Sequence, residues 1–187
     1  MKPSPLGIAL GMLLTATLAR RVLEQSMAVH MLLQLPLLFA AGAFVSVAAR
    51  GKRTTQVDAA RGYNAYGIAG LLLASGVVAC WMVPRALDAA VEQRTWEVCK
   101  VLSLAAVGAL AERSWRRAHV MVRAFVVGNS LWMTATVGLL LIDAPNRLCA
   151  NYTTNDQGVT GYALVGLTIG VSAIAAVIGG RRLADAV

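Results

Sequence analysis

Residues 27–49, Met27-Ala-Val-His30-Met31-Leu-Leu-Gln34-Leu-Pro36-Leu-Leu-Phe-Ala-Ala-Gly42-Ala-Phe-Val-Ser46-Val-Ala-Ala49, decide the fold. No acidic or strongly basic side chain interrupts this run, which exceeds the roughly 20 residues a helix needs to cross a bilayer. Helix is the reading because a lipid-embedded backbone must satisfy its own polar groups, and the alternating pattern of a barrel strand is absent. On that helix Met27, His30, Met31 and Gln34 fall at i, i+3, i+4 and i+7 and share one face. An imidazole and two thioethers in an apolar span need something to face: copper, another redox centre or a neighbouring helix. Pro36 predicts a kink that frees carbonyls near Leu32 and Leu33.

The rest of the chain has the same character. Apolar residues make up 58% of the 187 and charged residues 14%, against roughly a quarter charged in a soluble domain. Apolar segments occur near 5–19, 27–49, 65–84, 96–111, 119–142 and 158–179. They predict an all-α integral membrane bundle of about six transmembrane helices, with residues 1–187 forming one domain in the lipid bilayer. The net charge of +8 does not indicate nucleic acid, because the basic residues cap apolar runs without interleaved exposed aromatics. They serve as positive-inside anchors. Lys2, Arg50, Lys52, Arg53, Arg61, Arg113, Arg116, Arg117, Arg181 and Arg182 lie on one set of connections. Arg20, Arg21, Arg85, Arg94 and Arg147 form a poorer set on the other. Both termini are therefore expected in the cytoplasm of a bacterial-type inner membrane. Glu24, Asp88, Glu92, Glu97, Asp143 and Asp156 then share the outer side. Lys2, the apolar run and Thr17-Leu-Ala19 also have the form of a signal peptide cleaved after Ala19; retention as a first helix is the expectation.

Candidate chemistry concentrates at the outer side. His30 is a candidate metal ligand, Met27 and Met31 supply thioethers suited to Cu(I), and Glu24 could receive a hydrated ion. The alternative is a buried histidine bonded to another helix, with methionines filling gaps. His119 starts the fifth segment and is expected at the opposite interface. Gln34, Asn129 and Met133 are expected to make polar helix contacts, with Asn129, Met133 and Thr136 facing the His30 stripe. Gly161, Gly166, Gly170 and Ser172 suggest close helix packing. Cys80, Cys99 and Cys149 all fall on the outer side, where one disulfide and a leftover thiol is the simplest arrangement. Lys100 and Arg123 are close enough to helix ends to snorkel. A transporter reading is weak without a midplane ionisable group. No motif of a hydrolase, phosphate loop or metalloprotease occurs, so a non-enzymatic protein is expected.

Ser26-Met27-Ala28-Val29-His30-Met31-Leu32-Leu33, followed by Pro36-Leu37-Leu38, resembles the start of a helix in copper-related cytochrome c oxidase assembly factors of the CtaG type. That family's helix begins H-M-x-x-H-M-L-L; Ser26 stands in place of its first histidine. His119, Trp132, Pro145 and Asp156-Gln157 with Gly161 match later features in style, the last as D-Q-x-x-x-G before the final span. The resemblance covers most of the chain from Glu24 onward and implies a shortened, divergent relative. It implies a membrane accessory protein that handles copper for a respiratory oxidase or another copper enzyme, with His30, Met27, Met31 and Glu24 around the metal. The alternatives are a structural or accessory subunit of a larger membrane oxidoreductase complex, or a small-molecule transporter.

Overall fold

A computed structural model describes residues 4–50, 62 and 64–184, with side-chain surroundings through residue 178. Among these residues every regular element is helical: α1 (Pro5–Leu18), α2 (Met27–Ala48), α3 (Ile68–Met82), α4 (Pro84–Glu92), α5 (Arg94–Arg117), α6 (Val120–Asp143) and α7 (Thr154–Ala184). A single helical turn, Arg20–Leu23, links α1 to α2. Local sequence sets the boundaries. Ser4 caps α1 through its hydroxyl, with Pro5 in the first position, where the missing N–H costs nothing. Pro84 opens α4 after Val83 and bends the chain by 72° from α3. His119 caps α6 by accepting from the Met121 N–H.

Three helices, α2, α6 and α7, are long and apolar enough to cross a membrane, and α3 with α4 would make a fourth, bent one. The expected six spans are thus not all matched. α1 is only 14 residues long, and α5 carries Glu97, Lys100 and Glu112 along with terminal arginines. Contacts between helix ends nevertheless show that α1, α2, α3, α5, α6 and α7 alternate in direction. The end of α1 meets the start of α2, where Gln34 Nε2 donates to the Ala16 carbonyl. The start of α5 meets the starts of α2 and the end of α3. The end of α6 meets the start of α7.

α5 is the central post. Lys100, Leu104, Val107, Gly108, Ala111 and Ser114 are its buried residues, spaced as one helical stripe. Small residues on that stripe let α2 approach at backbone distance: a Cβ on Gly42 would overlap the Ala105 carbonyl, and one on Gly108 would overlap that of Phe39. Gly161 closes α7 onto α6 in the same way, where a Cβ would sit 2.6 Å from the Gly138 carbonyl oxygen. Gly166 and Gly170 face open space instead. From Ile169 to Ile178 every residue of α7 is exposed.

The expected proline kink takes another form. His30–Gln34 is a π-helical turn, in which the Leu35 N–H bonds the His30 carbonyl. Pro36 has no N–H to offer the preceding turn, and a widened turn accommodates that loss. It also turns His30, Met31 and Gln34 inward together, so that all three are buried.

Candidate functional site

The side chain at the centre of the end where α2 and α5 begin is Lys100, wholly buried. Its Nζ lies 2.8 Å from Glu24 Oε1, 3.0 Å from His30 Nε2 and 3.3 Å from Gln34 Oε1. An ammonium has three hydrogens and no lone pair, so these three acceptors satisfy it completely. His30 Nε2 therefore accepts, which leaves the ring proton on Nδ1, 2.8 Å from the Tyr152 phenol oxygen. Gln34 uses its Nε2 to donate to Ala16 and, at 3.4 Å, to Glu24. Glu24 Oε2 accepts from Arg20 Nε at 3.1 Å, and Arg20 also pairs with Glu97. The result is a continuous polar chain from the half-buried Arg20 and Glu97 to the buried Tyr152.

Burying an ion costs several kcal/mol, which partners and hydrogen bonds must offset. Glu24 shows how the offset arises. Burial, the largest single influence on Glu24, would raise its carboxyl. The hydrogen bond and charge of Lys100, then the bond from Arg20, outweigh it and hold the carboxyl below the usual carboxylate range. Tyr152 moves the other way: burial and then the Glu24 charge raise its phenol, so it remains protonated at neutral pH.

A second joint adjoins the first. Asp156, in the first turn of α7, accepts from the Met27 N–H at 2.6 Å and the Ser26 hydroxyl at 2.9 Å. A carboxylate is well placed there, on the free N–H groups that open α2. Gln157 accepts from the Leu148 N–H and donates to the Leu141 carbonyl, fixing the loop that carries Tyr152. Asp88 on α4 holds the same loop through the Ala150 and Asn151 N–H groups. Ser26 and Met27 thus meet Asp156 directly, although far apart in sequence.

Several expectations need correction. Lys100 does not snorkel; Glu24 draws its ammonium inward. His30 and Glu24 do meet, as the stripe suggested, but around that ammonium. Met27 and Met31 are buried in an apolar cluster with Leu38, Leu104, Leu141 and Leu164. Among the described residues no three His, Cys, Asp or Glu side chains are grouped to hold a metal ion. In this arrangement the imidazole lone pair and the carboxylate both accept from the Lys100 ammonium. Asn129 does not reach the His30 stripe: its amide donates to Met133 Sδ, 3.4 Å away on its own helix. The cysteines are all free thiols in this structure, with Cys80 and Cys99 exposed and Cys149 buried. The Cys149 thiol meets the Pro84 carbonyl at 3.6 Å; burial and then Asp88 push its pKa up to about 12. Thr136 bonds the Trp132 carbonyl of its own helix. Lys2, Lys52, Arg53 and Arg61 lie outside the described residues, and the side chains of Arg181 and Arg182 are likewise undescribed.

Sequence reasoning missed Lys100, Tyr152, Arg20 and Glu97 as site residues. Lys100 had a signal. It begins the stripe of small and apolar residues on α5, the position of a core residue and not of a helix-end anchor. Tyr152 had none beyond its place near Asp156. Compared with protein-family models, curated proteins and solved structures, the chain gives no match.

Proposed function

We propose that this chain is a non-enzymatic, multi-pass accessory protein of a bacterial-type inner membrane. It serves a respiratory oxidase or another membrane oxidoreductase by protein contact, without a resident metal. The observation that carries this reading is the closed Lys100 cage: three acceptors are filled by three hydrogens of one ammonium, so this buried cluster joins helices to one another. The exposed apolar face of α7 from Ile169 to Ile178 supplies surface for lipid or partner helices. The oxidase as client rests on the resemblance, which gains support from its two motifs meeting at Asp156. The arginine-rich end around Arg50, Arg113, Arg116 and Arg117 is read as cytoplasmic. Extraction of native membranes in a mild detergent tests this. Co-purification with oxidoreductase subunits, at far less than one copper per chain, is expected; migration as a lone monomer overturns it.

One observation favours copper handling as a second reading. Glu24 Oε1, His30 Nε2 and Gln34 Oε1 converge on a single point, so a cation site exists once Lys100 withdraws. Copper retained by the purified wild-type chain and lost in His30→Ala would establish this reading in place of the first.

A further inference from the structure

Between α2, α3, α5 and α6 lies a partly open cavity of about 650 Å³, within the size range of small-molecule sites; its charged lining is at the other end of the molecule. Its walls are almost wholly apolar, with Phe39, Leu71, Val78, Val126 and Leu131 among them. Along α3 it runs from Leu71 to Met82, about 16 Å of helix axis at 1.5 Å per residue. That is about half the roughly 30 Å hydrocarbon thickness of a bilayer, or one leaflet. The charged residues that line it are Arg50, Glu112 and Arg116, all at the arginine-rich end. Both guanidiniums are about half exposed and share the one Glu112 carboxylate, Arg116 Nε at 3.1 Å from Oε1 and Arg50 Nη2 on the same oxygen. Two cations on one anion leave a net positive charge at the mouth. Trp115 lines the cavity beside them, a residue type that settles at headgroup depth.

We infer that this cavity is a binding site for one anionic phospholipid of the inner leaflet, with an acyl chain in the slot and the phosphate at Arg50 and Arg116. The inference rests on the membrane reading of the chain and is independent of its client. The depth matches one leaflet, the walls match a hydrocarbon chain, and the residual positive charge matches a phosphate. Basic pockets between helices at the cytoplasmic face recognise such headgroups. A zwitterionic lipid offers the same chain without net charge, and free phosphate offers the charge without the chain.

Native mass spectrometry of the full chain, released from a mild detergent after adding phosphatidylglycerol or phosphatidylcholine of equal chain length, tests the site. One phosphatidylglycerol per chain should be retained in preference to phosphatidylcholine, with no competition from inorganic phosphate. The double variant Arg50→Gln/Arg116→Gln should lose roughly tenfold in phosphatidylglycerol retention and little in phosphatidylcholine. Ser130→Trp, which fills the slot from α6, should release both lipids while thermal unfolding shows a folded protein. Equal retention of the two lipids by the wild type, or unchanged phosphatidylglycerol retention in either folded variant, overturns the proposal. Should the double variant fail to fold, Ser130→Trp alone decides.

Discussion

The two ends of the bundle repeat one motif in two environments. At each, one glutamate is held by two cations: Glu24 by Lys100 and Arg20, and Glu112 by Arg50 and Arg116. At the Glu24 end the central cation is wholly buried, and each of its hydrogens has an acceptor. At the Glu112 end both cations are half exposed and border a cavity. The difference teaches that pairing alone does not set the worth of an ion pair. An exposed pair contributes about 0–1 kcal/mol, whereas stripping a partner from a buried ion costs about 3–5 kcal/mol. One end is a rigid lock and the other an adjustable rim.

The sharpest way to break this comparison is a matched pair of variants. Glu24→Ala should cost about 3–5 kcal/mol in detergent-solubilised unfolding at neutral pH, because it abandons a buried ammonium. Glu112→Ala should cost about 1 kcal/mol or less, since solvated arginines need no single partner. Equal losses would show the ends to be equivalent. Lys100→Met should fall between them at about 1–3 kcal/mol. It leaves His30 Nε2 and Gln34 Oε1 unpaired, but Arg20 still neutralises Glu24. A loss as large as that of Glu24→Ala would mean Arg20 does not support the carboxylate. Tyr152→Phe should cost about 0.5–1.5 kcal/mol, the worth of one hydrogen bond to His30 Nδ1.

Acid gives the smallest effect and the finest test. A carboxyl lowered in the folded state adds stability that is full above its unfolded pKa, about 4.3, and is lost as pH falls through the folded value. The Glu24 contribution should therefore persist at pH 6 and fade below about pH 4. Compared by thermal unfolding, the gap between wild type and Glu24→Gln should narrow on acidification. A gap that widened instead would mean that the Glu24 carboxyl is raised by burial.

Much of the architecture was legible in the chain. The long apolar runs of α2, α6 and α7 predict spans because a lipid-embedded backbone has few alternatives to helix. The arginine bias separated the two ends, and it agrees with Arg50, Arg113 and Arg116 meeting around Ser46 and Glu112. Gly161 was legible as a contact, because small residues are what allow such an approach. Gly166 and Gly170 belong to the same pattern yet pack against nothing described. A small residue permits contact but does not supply the neighbour.

The site was legible only in half. Residues 27–34 placed Met27, His30, Met31 and Gln34 on one face by helical periodicity alone, and Glu24 one turn ahead of them. What that face meets depends on chain segments 70 and 122 residues away, at Lys100 and Tyr152. A lysine near a helix end reaches water if no acid lies inward of it and turns inward if one does. Sequence specified the long apolar helices and the shared face of the donors on α2, because those follow from local periodicity and the demands of a lipid solvent. Only the tertiary structure decided that the Lys100 ammonium engages the donors, because long-range packing brought α5 against α2 with Lys100 level with His30.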